Sequence, residues 1–156
     1  MEITQFKASI EEAFADVPYP GDDNITNCGY KENFGSACWE CIEIADYFRS
    51  KTWHSHKVKD LRYHEAALNL FTEEALHYYL PAFVLAELED PEEADVIYDG
   101  LIFIFTPSGS SGAKENVQLL SPAQRKVMIE YFQDCLEEGG EYLDGHISQA
   151  IDALSQ

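Results

Sequence analysis

Residues 72–89 read TEEALHYYLPAFVLAELE and combine a helix start, a helix body and an internal proline. Thr72 occupies the position of an N-cap, and Glu73 and Glu74 behind it suit the positive end of a helix dipole. Because Pro81 has no backbone N–H, the helix must either kink there or restart with the proline in its first turn. Both alternatives predict helix rather than strand for this stretch.

Helical patterns also occupy most of the chain on either side. Thr4, Ser36, Asp90-Pro91 and Ser121-Pro122 resemble helix starts. Apolar residues then recur every three or four positions, which predicts further helices near 4–14, 36–48, 56–65, 90–102, 121–136 and 142–154. The apolar run 101–105 has no second strand-like run to pair with, so we read it as a buried helix end.

These patterns predict an all-α fold of one domain. Its 156 residues are enough for a single hydrophobic core, and 13% aromatic residues argue against a disordered acidic chain. We expect an irregular bundle of about five to seven helices over residues 1–156. Segments rich in Pro, Gly, Asp, Asn and Ser predict long loops near 17–35 and 106–120.

Charge is the extreme feature of the composition. The net charge is −19 and the sequence pI is about 4.3. A field of this sign repels phosphate backbones and anionic lipid surfaces, so we expect no direct nucleic-acid or membrane binding. The N-terminal residues show no secretory signal pattern, which predicts a cytoplasmic protein.

The residue types that hold metals or perform redox chemistry occur only in incomplete motifs. Cys38 and Cys41 form a CxxC, but no βαβ pattern precedes it, and His54 and His56 are too close in sequence for a typical zinc site. We therefore interpret both cysteines as buried or half-buried helix residues. A Glu-x-x-His begins at Glu74, but di-iron bundles need two such elements. We predict no catalytic, metal-binding or cofactor-binding residue and no cofactor.

Six acidic residues and no basic residue lie between positions 87 and 95. We predict a non-enzymatic domain that binds a basic protein through them, as an immunity-type or antitoxin-type neutraliser or a nucleic-acid mimic would. The residues assigned to this site are Glu87, Glu89, Asp90, Glu92, Glu93 and Asp95.

Two alternatives come from other classes of protein. One is a small-ligand or metal-binding helical protein, or an enzyme, with a pocket near His64, Glu74 and His77. The other is a homo-oligomer whose aromatic residues pack between subunits. We interpret most of these aromatics as core or core-rim residues, namely Trp53, Tyr63, Tyr78, Tyr79, Phe83 and Tyr98. The sequence does not define the oligomeric state.

Three features within residues 36–136 resemble an uncharacterised bacterial domain-of-unknown-function family of small acidic helical proteins. They are the tryptophan at Trp53, the segment from Leu68 to Phe83 with its Thr-x-Glu-Ala step into Tyr-Leu-Pro-Ala, and the Leu-Ser-x-x-Gln start at Leu120. The resemblance implies a helical fold and a bacterial cytosolic setting. It implies no activity.

Overall fold

The computed structural model describes residues 1–27, 38–139 and 141–156, with the backbone alone at Glu141. These residues form ten α-helices, one 3₁₀ turn at Glu141–Leu143 and no strand. The helices are α1 (Ile3–Phe14), α2 (Trp39–Phe48), α3 (Val58–Tyr63), α4 (Ala67–Leu70), α5 (Glu73–Glu89), α6 (Pro91–Ala94), α7 (Ile97–Phe103), α8 (Ala113–Leu119), α9 (Pro122–Glu138) and α10 (Asp144–Leu154). The all-α prediction is confirmed.

The helices group into two compact units. Residues 17–95 form one unit, which we call the inserted unit because it lies in sequence between the two segments of the other. Residues 1–16 and 96–156 together form the other, which we call the flanking unit. The N-terminal helix α1 therefore belongs to the same unit as α7 to α10, the last helices of the chain.

Helix α5 is the central element of the inserted unit. Its buried residues lie on every side of the helix rather than on one stripe, as expected of a helix surrounded by protein. The Thr72 hydroxyl accepts a hydrogen bond from the Ala75 amide at 3.0 Å, which confirms the predicted N-cap. Helix α5 continues through the buried Pro81, so the restart alternative is wrong.

An aromatic cluster fills the space beside α5. The ring of Phe48, at the end of α2, lies 4.7 Å from Tyr79 and 5.0 Å from Phe71, measured between ring centroids. Phe83, one turn after Tyr79, is also fully buried. Helices α3 and α6 pack on each other and on α5. Large aromatic rings thus pack closely against one another beside α5.

The flanking unit is built around α9. Ser121 and Gln124 form a complete capping box at its start, with the Ser121 amide donating to Gln124 at 2.9 Å. The Gln124 side-chain amide also donates to the carbonyl of Ala13 at 3.0 Å, which ties the end of α1 to the start of α9. Buried side chains of α1, α9 and α10 complete this core: Phe6, Ile10, Phe14, Met128, Tyr131, Phe132, Ile147 and Leu154.

The structure differs from the sequence prediction in three local respects. There are more helices than five to seven, because α4, α6 and α8 are one or two turns long and give little periodicity. Helix α8 occupies part of the loop predicted at 106–120. The N-cap of α1 is Glu2 instead of Thr4, since its carboxylate accepts from the amides of Thr4 and Gln5 at 3.1 and 2.7 Å. Residues 17–27 of the predicted loop contain no helix, and residues 28–35 and the Ser36 start lie outside the described residues.

Candidate functional site

The six acidic residues predicted as a partner site lie where α5 ends and α6 begins, and we call them the acidic corner. Asp90 is the N-cap of α6, with its carboxylate accepting from the Glu93 amide at 3.1 Å. The carboxylate of Asp95 lies 3.2 Å from the Arg62 guanidinium on α3. These two aspartates therefore have local structural roles that fix the shape of the corner.

The other residues of the acidic corner differ in exposure. Glu87 is half-buried, whereas Glu89, Glu92 and Glu93 are exposed. None of these three glutamates takes part in the ion pairs found among the described residues. Carboxylates without a nearby cation project their full charge into solvent, where they attract basic groups over about one Debye length, roughly 8–10 Å.

The residues of the predicted alternative pocket have different surroundings. Glu74 is exposed in the first turn of α5, and His77 is half-buried one turn later. The imidazole of His64 stacks on the ring of Tyr47, with centroids 4.5 Å apart and planes 29° apart. Among residues 1–27, 38–139 and 141–156, no group of three or more His, Cys, Asp or Glu side chains is arranged to hold a metal ion.

The two cysteines of the CxxC lie at the start of α2. Cys38 is its half-buried N-cap residue and Cys41 is buried on its inner face. The two thiols do not form a disulfide with each other. Cys41 is therefore the buried helix residue that was predicted, whereas half-buried Cys38 lies just before the helix.

A hydrogen-bond network around His56 was not predicted from the sequence. The Nε2 of His56 lies 2.7 Å from the carbonyl oxygen of Thr52, which only accepts, so Nε2 carries the proton. Nδ1 of the neutral ring is then the acceptor of the Tyr47 hydroxyl, 2.8 Å away. Burial lowers the pKa of His56 and raises that of Tyr47 to about 12.

Both ring nitrogens of His56 are thus engaged within the protein. A general base needs a lone pair directed at its substrate, and here the only lone pair of the neutral ring faces Tyr47. The network therefore suits a structural role, in which it holds the segment after α2 against the helix.

The same segment is fixed from a second side. Ser50 has a left-handed backbone with φ of +59°, and its amide donates to the Tyr19 hydroxyl at 2.8 Å and to Asp22 at 3.1 Å. The Ser50 hydroxyl donates to the Asp22 carboxylate at 3.0 Å. The Tyr19 hydroxyl, which itself donates to the Asp22 carboxylate, and then the bonds from Ser50 hold the pKa of Asp22 below its usual value. Partners separated by 28 or more residues leave no periodic signal in the sequence.

An exposed apolar surface lies on the outer side of α2. The side chains of Trp39 and Ile42 are 82% and 39% exposed, and Tyr63 on α3 is 69% exposed. The Tyr63 hydroxyl donates to the Glu43 carboxylate at 2.8 Å, which joins the two helices at the surface. We call Trp39, Ile42 and Tyr63 the Trp39 face.

Comparison with known protein families gives a match over nearly the whole chain. The model of a family of unknown function, DUF6714, matches residues 3–154. The chain belongs to the DUF6714 family. No curated protein and no solved structure matches it.

The DUF6714 match extends the resemblance seen in residues 36–136 to nearly the whole chain. In the structure, the segment from Leu68 to Phe83 supplies the cap of α5 and much of the aromatic cluster around Phe48. Trp53 is 4% exposed. These residues of the DUF6714 chain therefore have structural roles.

Of the aromatics predicted as core or core-rim residues, Tyr63 is the exception. Tyr78, Tyr79 and Phe83 are buried and Tyr98 is half-buried, whereas most of the Tyr63 side chain is in solvent. In the described part of the DUF6714 chain, no helix is both long and apolar enough to cross a membrane.

Proposed function

We propose that this protein is a non-enzymatic interaction domain that binds a basic protein through the acidic corner. The observation that carries the proposal is the set of exposed carboxylates of Glu89, Glu92 and Glu93 at one helix junction, none of which forms an ion pair with another described residue. Electrostatic complementarity of this kind accelerates association and selects partners of opposite charge.

The geometry of the acidic corner supports a docking role. The cap at Asp90 and the ion pair between Arg62 and Asp95 fix the backbone on both sides of the exposed glutamates. A preformed charged surface loses less conformational entropy on binding than a flexible acidic segment does. We propose that this docking neutralises a basic protein, in the way an immunity protein, an antitoxin or a nucleic-acid mimic does.

The proposed setting is the bacterial cytoplasm, on the basis of the family resemblance. Direct binding to nucleic acid and to membranes is not expected, because the net charge of −19 opposes both.

The test is capture from a native bacterial lysate with tagged protein, at low and at high salt, with nuclease treatment in parallel. We expect a basic protein that is retained after nuclease digestion and released by salt. The purified partner is then measured against the triple variant Glu89→Lys, Glu92→Lys and Glu93→Lys.

A matched variant separates local charge from total charge. Glu11→Lys, Glu12→Lys and Asp16→Lys change the net charge equally, at exposed positions of the flanking unit. We expect the corner variant to weaken binding at least tenfold and to reduce its salt dependence, and the matched variant to change affinity less than threefold. Equal effects of the two variants would show that the corner is not the docking surface.

A further inference from the structure

We infer that the Trp39 face is the apolar anchor of the partner-binding surface, and that the partner presents an apolar pocket flanked by lysine or arginine. This inference rests on the proposed function and adds the second chemical component of the same interface. Protein interfaces combine a few buried aromatic anchors with a polar rim, and Trp and Tyr are enriched among the anchors.

The register of α2 separates its core face from the Trp39 face. Cys41, Ile44 and Phe48 are buried and attach the helix to the inserted unit. Trp39 and Ile42 lie on the opposite side, at a spacing of three residues that places them next to each other. The described core of the inserted unit therefore does not use these two large apolar side chains.

On α2, acidic side chains lie beside this apolar surface. Glu40, Glu43 and Asp46 are all exposed on α2, and the only basic group paired with them among the described residues is Arg49, 3.9 Å from Asp46. A second copy of the chain would bring carboxylates against carboxylates here. A basic partner would neutralise them, so charge complementarity favours a basic protein as the occupant.

Helix α3 connects the Trp39 face to the acidic corner. Its last residue, Tyr63, donates to Glu43 on α2, and the residue before it, Arg62, pairs with Asp95 of the corner at 3.2 Å. Helix α3 also packs directly on α6. One partner could therefore contact the apolar anchor and the exposed glutamates together, within a single compact unit.

The test uses two synthetic 16-residue peptides that carry eight lysines each. One contains three leucines at helical i, i+3 and i+7 spacing, and the other has glutamine in their place. We expect the wild-type protein to bind the leucine peptide at least tenfold more tightly than the glutamine peptide at 50 mM NaCl, with a blue shift of tryptophan emission.

Two alanine variants locate the apolar contact. Trp39→Ala should reduce the preference for the leucine peptide to less than threefold, with an unchanged melting temperature because the side chain is exposed. Tyr142→Ala is the matched control, since Tyr142 is 89% exposed in the flanking unit. It should keep the full preference.

The outcomes separate this inference from the proposed function. If both peptides bind equally and the corner variant weakens both, the acidic docking function holds and the apolar anchor is wrong. If neither peptide binds, both proposals are wrong. If light scattering detects a dimer that Trp39→Ala dissociates, the face is a contact between copies of this chain and the inference is overturned.

Discussion

The hydroxyl of Tyr79 links the centre of α5 to the chain that leaves α2. It donates to the carbonyl oxygens of Phe48 and Lys51, at 2.9 and 2.6 Å. The ring is fully buried, and burial raises the pKa of the hydroxyl above its usual value. One hydroxyl group thus contacts a carbonyl at the end of α2 and a carbonyl in the turn that follows it.

We expect Tyr79→Phe to lower the free energy of unfolding by roughly 1–3 kcal/mol, because the part-buried Lys51 carbonyl loses the hydroxyl donor and the Phe48 carbonyl keeps only the Lys51 amide, while the ring still fills its space. Urea denaturation measures the change. The control is Tyr63→Phe, which removes an exposed hydrogen bond and should cost less than about 0.5 kcal/mol. Equal losses would mean that the Tyr79 hydroxyl contributes no more than a surface group.

His56 makes stability depend on pH. Burial is the largest cause that lowers its pKa below the usual value near 6.5, and burial also lowers the pKa of His64. In the unfolded chain both rings are hydrated and take up protons as the pH falls through 6.5. Since the folded protein binds fewer protons in that window, acidification favours unfolding.

We therefore expect the free energy of unfolding to fall as the pH is lowered from 7.5 through 6.5 and below. His56→Gln should flatten this slope and cost about 1 kcal/mol at pH 8, where the wild-type hydrogen bonds are intact. Urea denaturation at several pH values tests both statements. The control His54→Gln, at an exposed position, should change the free energy of unfolding at pH 8 by less than half of that amount. An unchanged slope in His56→Gln would contradict the assignment.

At the scale of elements, the features that could be predicted are those formed by residues close together in sequence. The caps at Thr72, Asp90 and Ser121 all involve partners three residues away, and all three are confirmed. The acidic corner was likewise visible as a run. Contacts over longer separations were not predicted: Ser50 with Asp22, and His56 with Tyr47, depend on the tertiary fold.

Two glycines at the ends of neighbouring helices should respond oppositely to alanine. A Cβ at Gly139, after α9, would lie 2.6 Å from the Cys135 carbonyl oxygen, so Gly139→Ala must displace backbone. A Cβ at Gly145, in α10, meets nothing within 4 Å. Gly145→Ala should stabilise the protein by about 0.5–1 kcal/mol, and Gly139→Ala should destabilise it by at least as much. Thermal denaturation measures both changes, and a shift of the two melting temperatures in the same direction would contradict this expectation.

At the scale of the molecule, negative charge is spread over both units. The inserted unit has 16 acidic and six basic residues, and the flanking unit has 13 and four. The described residues contain three ion pairs, one of which uses the terminal amino group of Met1. Most carboxylates therefore repel one another without local compensation, which opposes the compact state.

We expect the free energy of unfolding to rise when NaCl is increased from 20 to 500 mM, because salt screens this repulsion more than it weakens three ion pairs. Urea is the appropriate denaturant, since guanidinium is itself a salt. The variant with lysines at 89, 92 and 93 should show a smaller rise. A decrease with salt in the wild-type protein would mean that ion pairs dominate its electrostatics.

The division of the flanking unit into two sequence segments has a consequence for the order of events during synthesis. Residues 17–95 leave the ribosome as one uninterrupted length and can collapse on their own contacts. Helix α1 emerges first, yet its partner α9 is completed only at Glu138, roughly 6–25 s later at translation rates of 5–20 residues per second. During that interval the apolar side of α1 lacks the native surface of α9, so α1 reaches its final place only after the later helices of its unit have been made.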